Sequence, residues 1–497
     1  MNKEIIDKIN SITCQKSQPP KACVITFGCQ QNEADSEKIK GMLADMGYEI
    51  TDVDMTSDIA GSQGKYGEFI ISENSSLALC DVIIMNTCAV REHAELKAFS
   101  RTGQLKHYKN KNKNLLIGIC GCMVEQEHVL EYIKKSFPYV DFIFGTRSIH
   151  KFPEIFYETL TAQKRIIRNK NIGEDIIDED MPVRRDSFFK AWVSIMYGCD
   201  NFCSYCVVPY VRGRERSRSK DKILEEIREL VSSGYKDITL LGQNVNSYKD
   251  LCGKRDVEDA VPYNFTDLLS DIVKIDGDYW LRFITSHPKD VPDRLITLMG
   301  ENEKIAKHFH LPVQAGSNRI LKLMNRKYTR ENYLDLVGKL RENVKDIALA
   351  SDIIVGFPGE TEEDFNDTLD IIEKAEFDNI FPFIYSKRKG TPAAEMDDKT
   401  PRKEKTDRFA RLMKIQNNIS EKKNKAYEGK TVKVLVESEA QNANVGATLC
   451  GRPKLAGRTS THKLVIFGGS VDLIGNFVNV KINEGKLHGL YGEIAKD

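Results

Sequence analysis

The sequence predicts a multidomain α/β protein with an N-terminal parallel α/β sheet domain, a central open (β/α)6 partial TIM barrel and a small C-terminal antiparallel β-barrel. Three observations carry this. Over residues 21–165 short apolar runs alternate with helically spaced ones; over 187–427 strand and helix patterns recur as βα units; over 428–497 short alternating strands are separated by Gly-containing turns. A chain of 497 residues is also too long for one ordinary core.

Residues 1–20 read as a helical extension stopped by Pro19 and Pro20. Strands are expected at 22–27, 81–86, 115–120 and 141–144. Helices at 34–46, 92–108 and 126–137 lie between them, as the spacing of Ile39, Leu43 and Met46 illustrates. Strand and helix in alternation give a mostly parallel sheet covered on both faces. Residues 56–76, rich in Gly, Ser and charge, read as an exposed insertion, and 166–186 as a linker. The barrel strands are expected near 188–196, 237–241, 280–285, 308–312, 348–355 and 379–384. The clearest helix between them, 221–233, lines Ile223, Ile227 and Val231 on one face. Residues 401–425 form a charged helix with basic excess, read as a solvated face. Beyond 430, alternating residues in short runs give the small barrel.

Hydrophobic residues at 41% and charged residues at 29% describe a soluble globular chain. No apolar run approaches the roughly 18 residues that span a bilayer, and the polar start lacks a signal-peptide core. A cytoplasmic protein with no membrane partner is expected. Twelve cysteines in a reducing compartment argue for metal ligation over disulfides. A net charge of zero gives no overall signal for nucleic acid, so any such signal is local.

The chemistry centres on Cys199, Cys203 and Cys206, spaced CxxxCxxC. Three thiolates in one loop hold three corners of a cubane iron–sulfur cluster and leave one iron without a protein ligand. A zinc loop would want a fourth ligand nearby, and none adjoins. A second set is built by the fold: Cys29, Cys88 and Cys122 each follow a strand, and ligands gather at the carboxyl ends of strands. Cys120, two residues from Cys122, is not distinguished from it by pattern. In the barrel, Gly242, Gln243 and Asn244 follow the second strand, Ser286 and His287 the third, and Gln314 the fourth, all toward one cavity. His287 and His310 read as structural histidines. Arg212, Arg214, Arg216 and Arg218 have the chemistry to hold phosphates and stack on bases.

FGCQQNEADSE at 27–37, NTCAVREHAE at 86–95 and GCMVEQE at 121–127, followed by the CxxxCxxC loop, resemble the methylthiotransferases of the radical S-adenosylmethionine (SAM) enzymes. The resemblance spans residues 21–495. It implies a methylthiotransferase N-terminal domain (21–165), a radical SAM barrel (187–427) and an RNA-binding TRAM domain (428–497). It also implies two [4Fe–4S] clusters, one on Cys29, Cys88 and Cys122 and one on Cys199, Cys203 and Cys206, with SAM on the open iron of the second. Cofactor contacts fall to Gly242, Gln243, Asn244, Ser286, Gln314, Asp352 and Gly356, and RNA contacts include Arg458 and Lys463. Cys14, Cys23, Cys80, Cys120, Cys252 and Cys450 match no role. LLGQNVNSY at 240–248 and VVPYVRGRERSR at 207–218 are similar to the branch acting on N6-dimethylallyl(isopentenyl)adenosine at position 37 of tRNA. Other branches act on threonylcarbamoyl-adenosine or on a ribosomal protein aspartate, and a non-catalytic iron–sulfur RNA-binding redox sensor is the alternative of another class. In the implied reaction one SAM methylates a sulfur on the auxiliary cluster, and a second yields a radical that takes hydrogen from C2 of the adenine. Expected partners are the tRNA anticodon stem-loop and a flavodoxin- or ferredoxin-like electron donor, with the enzyme a monomer. Ala315, Val124 and Lys387 depart from the family's usual serine, alanine and proline.

Overall fold

The computed structural model describes residues 3–52, 76–90, 92–162, 164–168, 177, 179–250, 262–440 and 453–495. Residues 56–75 of the expected insertion lie outside these, as do Cys252 and Cys450. The chain forms two compact units. The first comprises Met1–Asp186, Tyr197–Asp200 and Val207–Arg218, and the second Ser187–Met196, Asn201–Cys206 and Ser219–Asp497.

In the first unit, helix α1 (Lys3–Thr13) precedes strand β1 (Lys21–Thr26), helix α2 (Gln30–Asp45) and the short strand β2 (Glu49–Ile50). Strand β3 (Val82–Thr87), α3 (Glu92–Lys111), β4 (Leu116–Gly121), α4 (Glu127–Ser136), β5 (Phe142–Gly145), α5 (Phe152–Ala162) and β6 (Ile166–Arg168) follow. The strands pair in parallel in the order β2-β1-β3-β4-β5-β6. Helices cover both faces, so β3 reads Val-Ile-Ile-Met with every residue buried. Val24, Val82 and Ile84 pack under α1, α2 and α5, while Ile25, Ile83 and Met85 pack under α3 and α4. Neighbour order reverses between β1 and β3, and such a switch point is where open α/β sheets form sites.

The stretch expected as a linker is partly structured: Ile166–Arg168 is the sixth strand. Further on, Arg185 pairs with Glu37 at 2.8 Å and Asp186 with Lys40 at 2.6 Å, fastening the segment to α2. Its charges are partnered on a helix surface, which composition alone does not reveal.

The second unit holds six parallel strands in sequential neighbour order. Lys190–Ser194, Asp237–Leu241 and Trp280–Phe283 form one three-stranded sheet; His308–His310, Ala348–Val355 and Asn379–Ile384 form another. A parallel bridge between Leu281 and Ile305 joins the series. The intervening helices bury one apolar face each, as Lys220–Ser232 does with Ile223, Leu224, Ile227 and Leu230. Helix Arg402–Lys425 departs from the solvated-face expectation, because Lys405, Arg408, Gln416, Ser420 and Asn424 are buried on one stripe. Gln416 donates to the carbonyl of Phe377 (2.8 Å), Ser420 to that of Asp378 (3.0 Å) and Asn424 to that of Lys486 (2.7 Å).

The last strands, Thr431–Glu439, Lys454–Thr459, Leu464–Gly468, Phe477–Lys486 and Gly489–Ile494, close into a barrel. Pairing is antiparallel except between Leu464–Gly468 and Gly489–Ile494, which run parallel. This corrects the fully antiparallel expectation, since a closed ring of five strands cannot alternate direction throughout. Leu435 packs with Phe189, Trp280 and Ala306 at the amino ends of the parallel strands. Buried Arg282 pairs with Asp237 (2.7 Å) and donates to the carbonyls of Thr459 (3.0 Å) and Ser460 (3.1 Å). No described helix is long and apolar enough to cross a membrane.

Candidate functional site

Strands β1, β3 and β4 run in register, with Thr26 opposite Asn86 and Asn86 opposite Cys120, so the residues just beyond them emerge side by side. Gly28 makes the approach possible: a Cβ there would lie 2.9 Å from Cys88 Cβ and 2.4 Å from Asn32 Oδ1. Gly121, at φ 99°, meets the Thr87 carbonyl, where a Cβ would lie at 2.3 Å. Cys29 then caps α2. Fully buried Asn32 ties the strand ends together, donating to Asn86 Oδ1 (3.1 Å) and the Thr87 carbonyl (3.2 Å) while accepting from the Cys29 amide (3.4 Å).

The Cys88 thiol donates to Cys29, and this bond above all brings the Cys29 thiol down to about 6, against burial and with help from Arg212. The same bond, with burial and the nearby sulfur of Cys122, pushes Cys88 well up. Burial lifts Cys122 to about 11, opposed by Arg212, whose Nε donates to Cys122 Sγ at 3.2 Å. Arg212 in turn pairs with buried Asp35 at 2.8 Å. Cys120 is placed elsewhere, in the apolar core with Val24, Ile84 and Phe144. Cys122 thus lies near Cys29 and Cys88, while Cys120 packs in the apolar core.

The CxxxCxxC loop is braced on both sides of its course. In the first unit, Cys199 donates its amide to the Gly213 carbonyl at 3.2 Å, and a Cβ at Gly198 would strike the Arg214 carbonyl at 2.0 Å. In the second unit, Asn325 donates to the Phe202 carbonyl (2.9 Å), and Ser204 donates through its amide to the Met324 carbonyl (3.0 Å) and through Oγ to that of Leu323 (2.8 Å). Buried Arg326 donates to Cys203 Sγ (3.4 Å), the Pro312 carbonyl (2.8 Å) and Tyr328 Oη (2.9 Å). Its guanidinium thus links the loop to the end of the His308–His310 strand.

The same network reaches the other strand ends. The His287 ring meets Tyr328 edge-on at 5.6 Å and accepts from the Lys289 amide, and burial holds it neutral, down to about 2. Beside it Ser286 is buried, and its Oγ has no hydrogen-bond partner among the described residues. Asn244 is in the same condition: Nδ2 donates to Asp290 at 2.8 Å, while the buried Oδ1 has no partner among the described residues. The Val245 amide donates to the Thr285 carbonyl at 3.0 Å, setting these strand ends next to each other. Gln314, at φ 71°, exchanges backbone bonds with Asp352 and Ile354. Gly242 packs where a Cβ would lie 2.5 Å from Met196 Cγ, and Gly356 turns at φ 71° with its amide donating to Glu360 at 2.8 Å. Gln243 is half-buried at the same strand end. Ala315 lies in the apolar core.

No group of three or more His, Cys, Asp or Glu among the described residues is arranged to hold a single metal ion. Two buried thiols and the half-buried Cys29 beside a guanidinium, and orphaned polar atoms beside the second set, have the chemistry of anionic cluster ligation and of a polar cofactor site respectively.

Residues 193–372 match the Radical SAM superfamily, 21–61 and 68–145 the Uncharacterized protein family UPF0004, and 425–495 the TRAM domain. A tRNA-2-methylthio-N(6)-dimethylallyladenosine synthase of Acetivibrio thermocellus is 49% identical over 99% of this chain and 95% of its own. Those of Caldicellulosiruptor saccharolyticus and Clostridium tetani are each 48% identical, over 99% and 98% of this chain and 96% and 98% of theirs. The chain belongs to this family. Membership of the radical SAM superfamily implies a [4Fe–4S] cluster and SAM. Among solved structures, a radical SAM methyltransferase from Kitasatospora setae with cobalamin and a [4Fe–4S] cluster bound shares the fold, with a TM-score of 0.53 at 14% identity over 76% of this chain and 77% of that one.

The basic residues expected at RNA need correction. Arg212 is buried on Asp35, Arg218 is buried on Glu179 (2.6 Å), and Lys463 is buried on Asp378 (2.8 Å), so none presents its charge to a phosphate. Arg458 is partly buried and pairs with Glu437 at 3.3 Å; Arg216 is half-buried, donating to the Arg212 carbonyl at 3.2 Å. Arg214 keeps an exposed side chain, with Asp200 at 3.2 Å. A small cleft of about 40 Å³ in the first unit, lined by Asp35, Lys38, Thr146, Arg147, Tyr197 and Arg212, opens beside the Cys122 environment. Sequence reasoning missed Asn32, Asp35 and Arg326 as parts of these sites. Asn32 and Asp35 stood in the quoted motif, while Arg326 carries no local signal.

Proposed function

We propose that the chain is a radical SAM tRNA methylthiotransferase, converting N6-dimethylallyladenosine at position 37, beside the anticodon, to its 2-methylthio derivative. The observation that carries this is the shared identity of relatives, 48–49% over nearly the whole of both chains, with six cysteines in motif position. In this reading Cys199, Cys203 and Cys206 hold one [4Fe–4S] cluster, and Cys29, Cys88 and Cys122 hold a second, auxiliary one. When bound, the first cluster with SAM supplies a radical able to take hydrogen from an unactivated C2, and the second supplies the sulfur.

The chain's own part is position and exclusion of water. Arg326 orients Cys203, and its bonds to Pro312 and Tyr328 fix that orientation relative to the strand ends. Asn244 Oδ1 and Ser286 Oγ await polar groups that the fold does not provide, and the amino and carboxylate ends of SAM have the matching chemistry. Gly242, Gln243, Gln314, Asp352 and Gly356 are the remaining expected cofactor contacts at these strand ends, with Gly242 and Gly356 packed against Met196 and Lys405. The target adenine leaves its stack at a cost of a few kcal/mol, less in a single-stranded loop. Arg214, Arg216 and Arg458 remain as phosphate contacts from the expected set. The enzyme acts as a cytoplasmic monomer and takes electrons from a flavodoxin- or ferredoxin-like donor.

Anaerobic turnover with tRNA bearing the dimethylallyl group, followed by nucleoside mass analysis, tests the reading. The expected product gains the mass of a methylthio group in place of hydrogen. Modification of threonylcarbamoyl-adenosine or of a ribosomal protein instead, or no 5′-deoxyadenosine at all, would overturn it.

A further inference from the structure

The arginine run expected to meet RNA gives up its first member to the interior. Arg212 is 5% exposed, and Asp35, its carboxylate partner, is 1% exposed. Its Nε donates to Cys122 Sγ at 3.2 Å and its Nη2 to Asp35 Oδ2 at 2.8 Å, so the guanidinium plane is fixed from two directions. Its backbone is fixed as well. The preceding carbonyl of Val211 accepts from Thr146 Oγ1 at 2.8 Å, and Val207 and Val211 pack with Ala89 and Cys122. Burying a cation is costly unless something repays it, and the buried carboxylate of Asp35 engages only one side of the fork. The second direction of the fork is spent on sulfur.

We propose that Arg212 is a positioning residue of the auxiliary site: it orients Cys122 and, as a fixed buried cation, raises the reduction potential of the cluster held there. The inference rests on the reading that Cys29, Cys88 and Cys122 hold that cluster. One-electron reduction adds a negative charge and no proton, and a cation in contact with a ligand sulfur favours the reduced form in a low-dielectric surrounding. A charge-assisted bond to the thiolate acts in the same sense by withdrawing electron density from the sulfur. Asp35 holds the guanidinium in place and keeps it from turning to solvent.

The test uses the full chain with Cys199, Cys203 and Cys206 replaced by alanine, reconstituted anaerobically and titrated with dithionite through mediators while the cluster is followed by electron paramagnetic resonance. In this background Arg212→Gln should make the cluster at least about tenfold harder to reduce, a negative shift of about 59 mV for one electron. Arg212→Lys should keep most of the original potential. Should Arg212→Gln fail to load iron, the lysine variant carries the test alone: a loaded cluster near the parent potential supports the inference, and an empty site in a natively folded protein overturns it. An unchanged potential in Arg212→Gln, or an equal shift in Arg212→Lys, also overturns the role of charge. A parent that loads no cluster defeats the auxiliary-site reading itself, which separates the two failures.

Discussion

Replacing Asn32 by alanine attacks the proposed auxiliary site without touching a cysteine. The side chain is fully buried and donates to Asn86 Oδ1 at 3.1 Å and to the Thr87 carbonyl at 3.2 Å, clasping the ends of β1 and β3. Each bond contributes about 1 kcal/mol net, and leaving buried Asn86 Oδ1 without its donor adds about as much again, so the loss is about 3 kcal/mol. For a unit of this size that is a fall of about 6–12 °C in its melting transition. The Asn86 bond to the Asn32 carbonyl, at 2.8 Å, survives the substitution and keeps the strand ends from parting altogether. The protein should therefore fold, with Cys29 no longer held against Cys88. Iron content after anaerobic reconstitution should drop from two clusters toward one, while 5′-deoxyadenosine formation persists. A variant that melts with the parent and loads both clusters would refute the clasp.

Arg326→Met should leave Cys203 without its guanidinium donor and the Pro312 carbonyl with Tyr328 alone, and reduce 5′-deoxyadenosine formation more than tenfold, with tRNA affinity measured by filter binding unchanged. Ser286→Ala removes an orphaned polar atom, so it should weaken SAM binding about tenfold in calorimetry yet leave thermal stability equal or higher, whereas Asn244→Ala should weaken SAM binding similarly and also lose about 1 kcal/mol of stability with the bond to Asp290. Burial holds His287 and His308 neutral down to about 2 and about 3, and holds His462 well below its ordinary value, so unfolding takes up protons below pH about 6.5. Stability of the second unit should thus fall as pH drops from 6.5 toward 5, and His308→Gln should flatten that slope in urea titrations; an unaltered slope would contradict a neutral buried ring. Truncation before Lys430 should destabilise the second unit by uncovering Phe189, Trp280 and Ala306, seen as early proteolysis, so an RNA role for the last barrel is better tested by Arg458→Glu.

What the sequence made legible follows from how local each signal is. The buried strands β1, β3, β4 and β5 announce themselves as apolar runs because helices cover both faces. Edge strands β2 and β6, of 2 and 3 residues, are too short to show a period. Cys199, Cys203 and Cys206 are legible as a set because one loop carries all three. Cys29, Cys88 and Cys122 are legible only through the strands they follow, and the choice of Cys122 over Cys120 needed the actual course of the chain past Gly121.

The arginines show the limit most clearly. Read along the chain, Arg212 through Arg218 is a basic run, and a basic run belongs on the surface. Asp35, the carboxylate that draws Arg212 inward, stands 177 residues earlier, and the Asp378 that binds Lys463 stands 85 residues before it. A charged residue's fate is decided by a partner whose distance in sequence is unrelated to its distance in space, so charge runs report composition and not exposure. The same holds for helix Arg402–Lys425, whose buried polar stripe meets carbonyls from strands and loops on either side of it in sequence. Where the partner is a cysteine sulfur, as for Arg212 and Arg326, the buried cation marks a site that the cysteine spacing alone leaves incomplete.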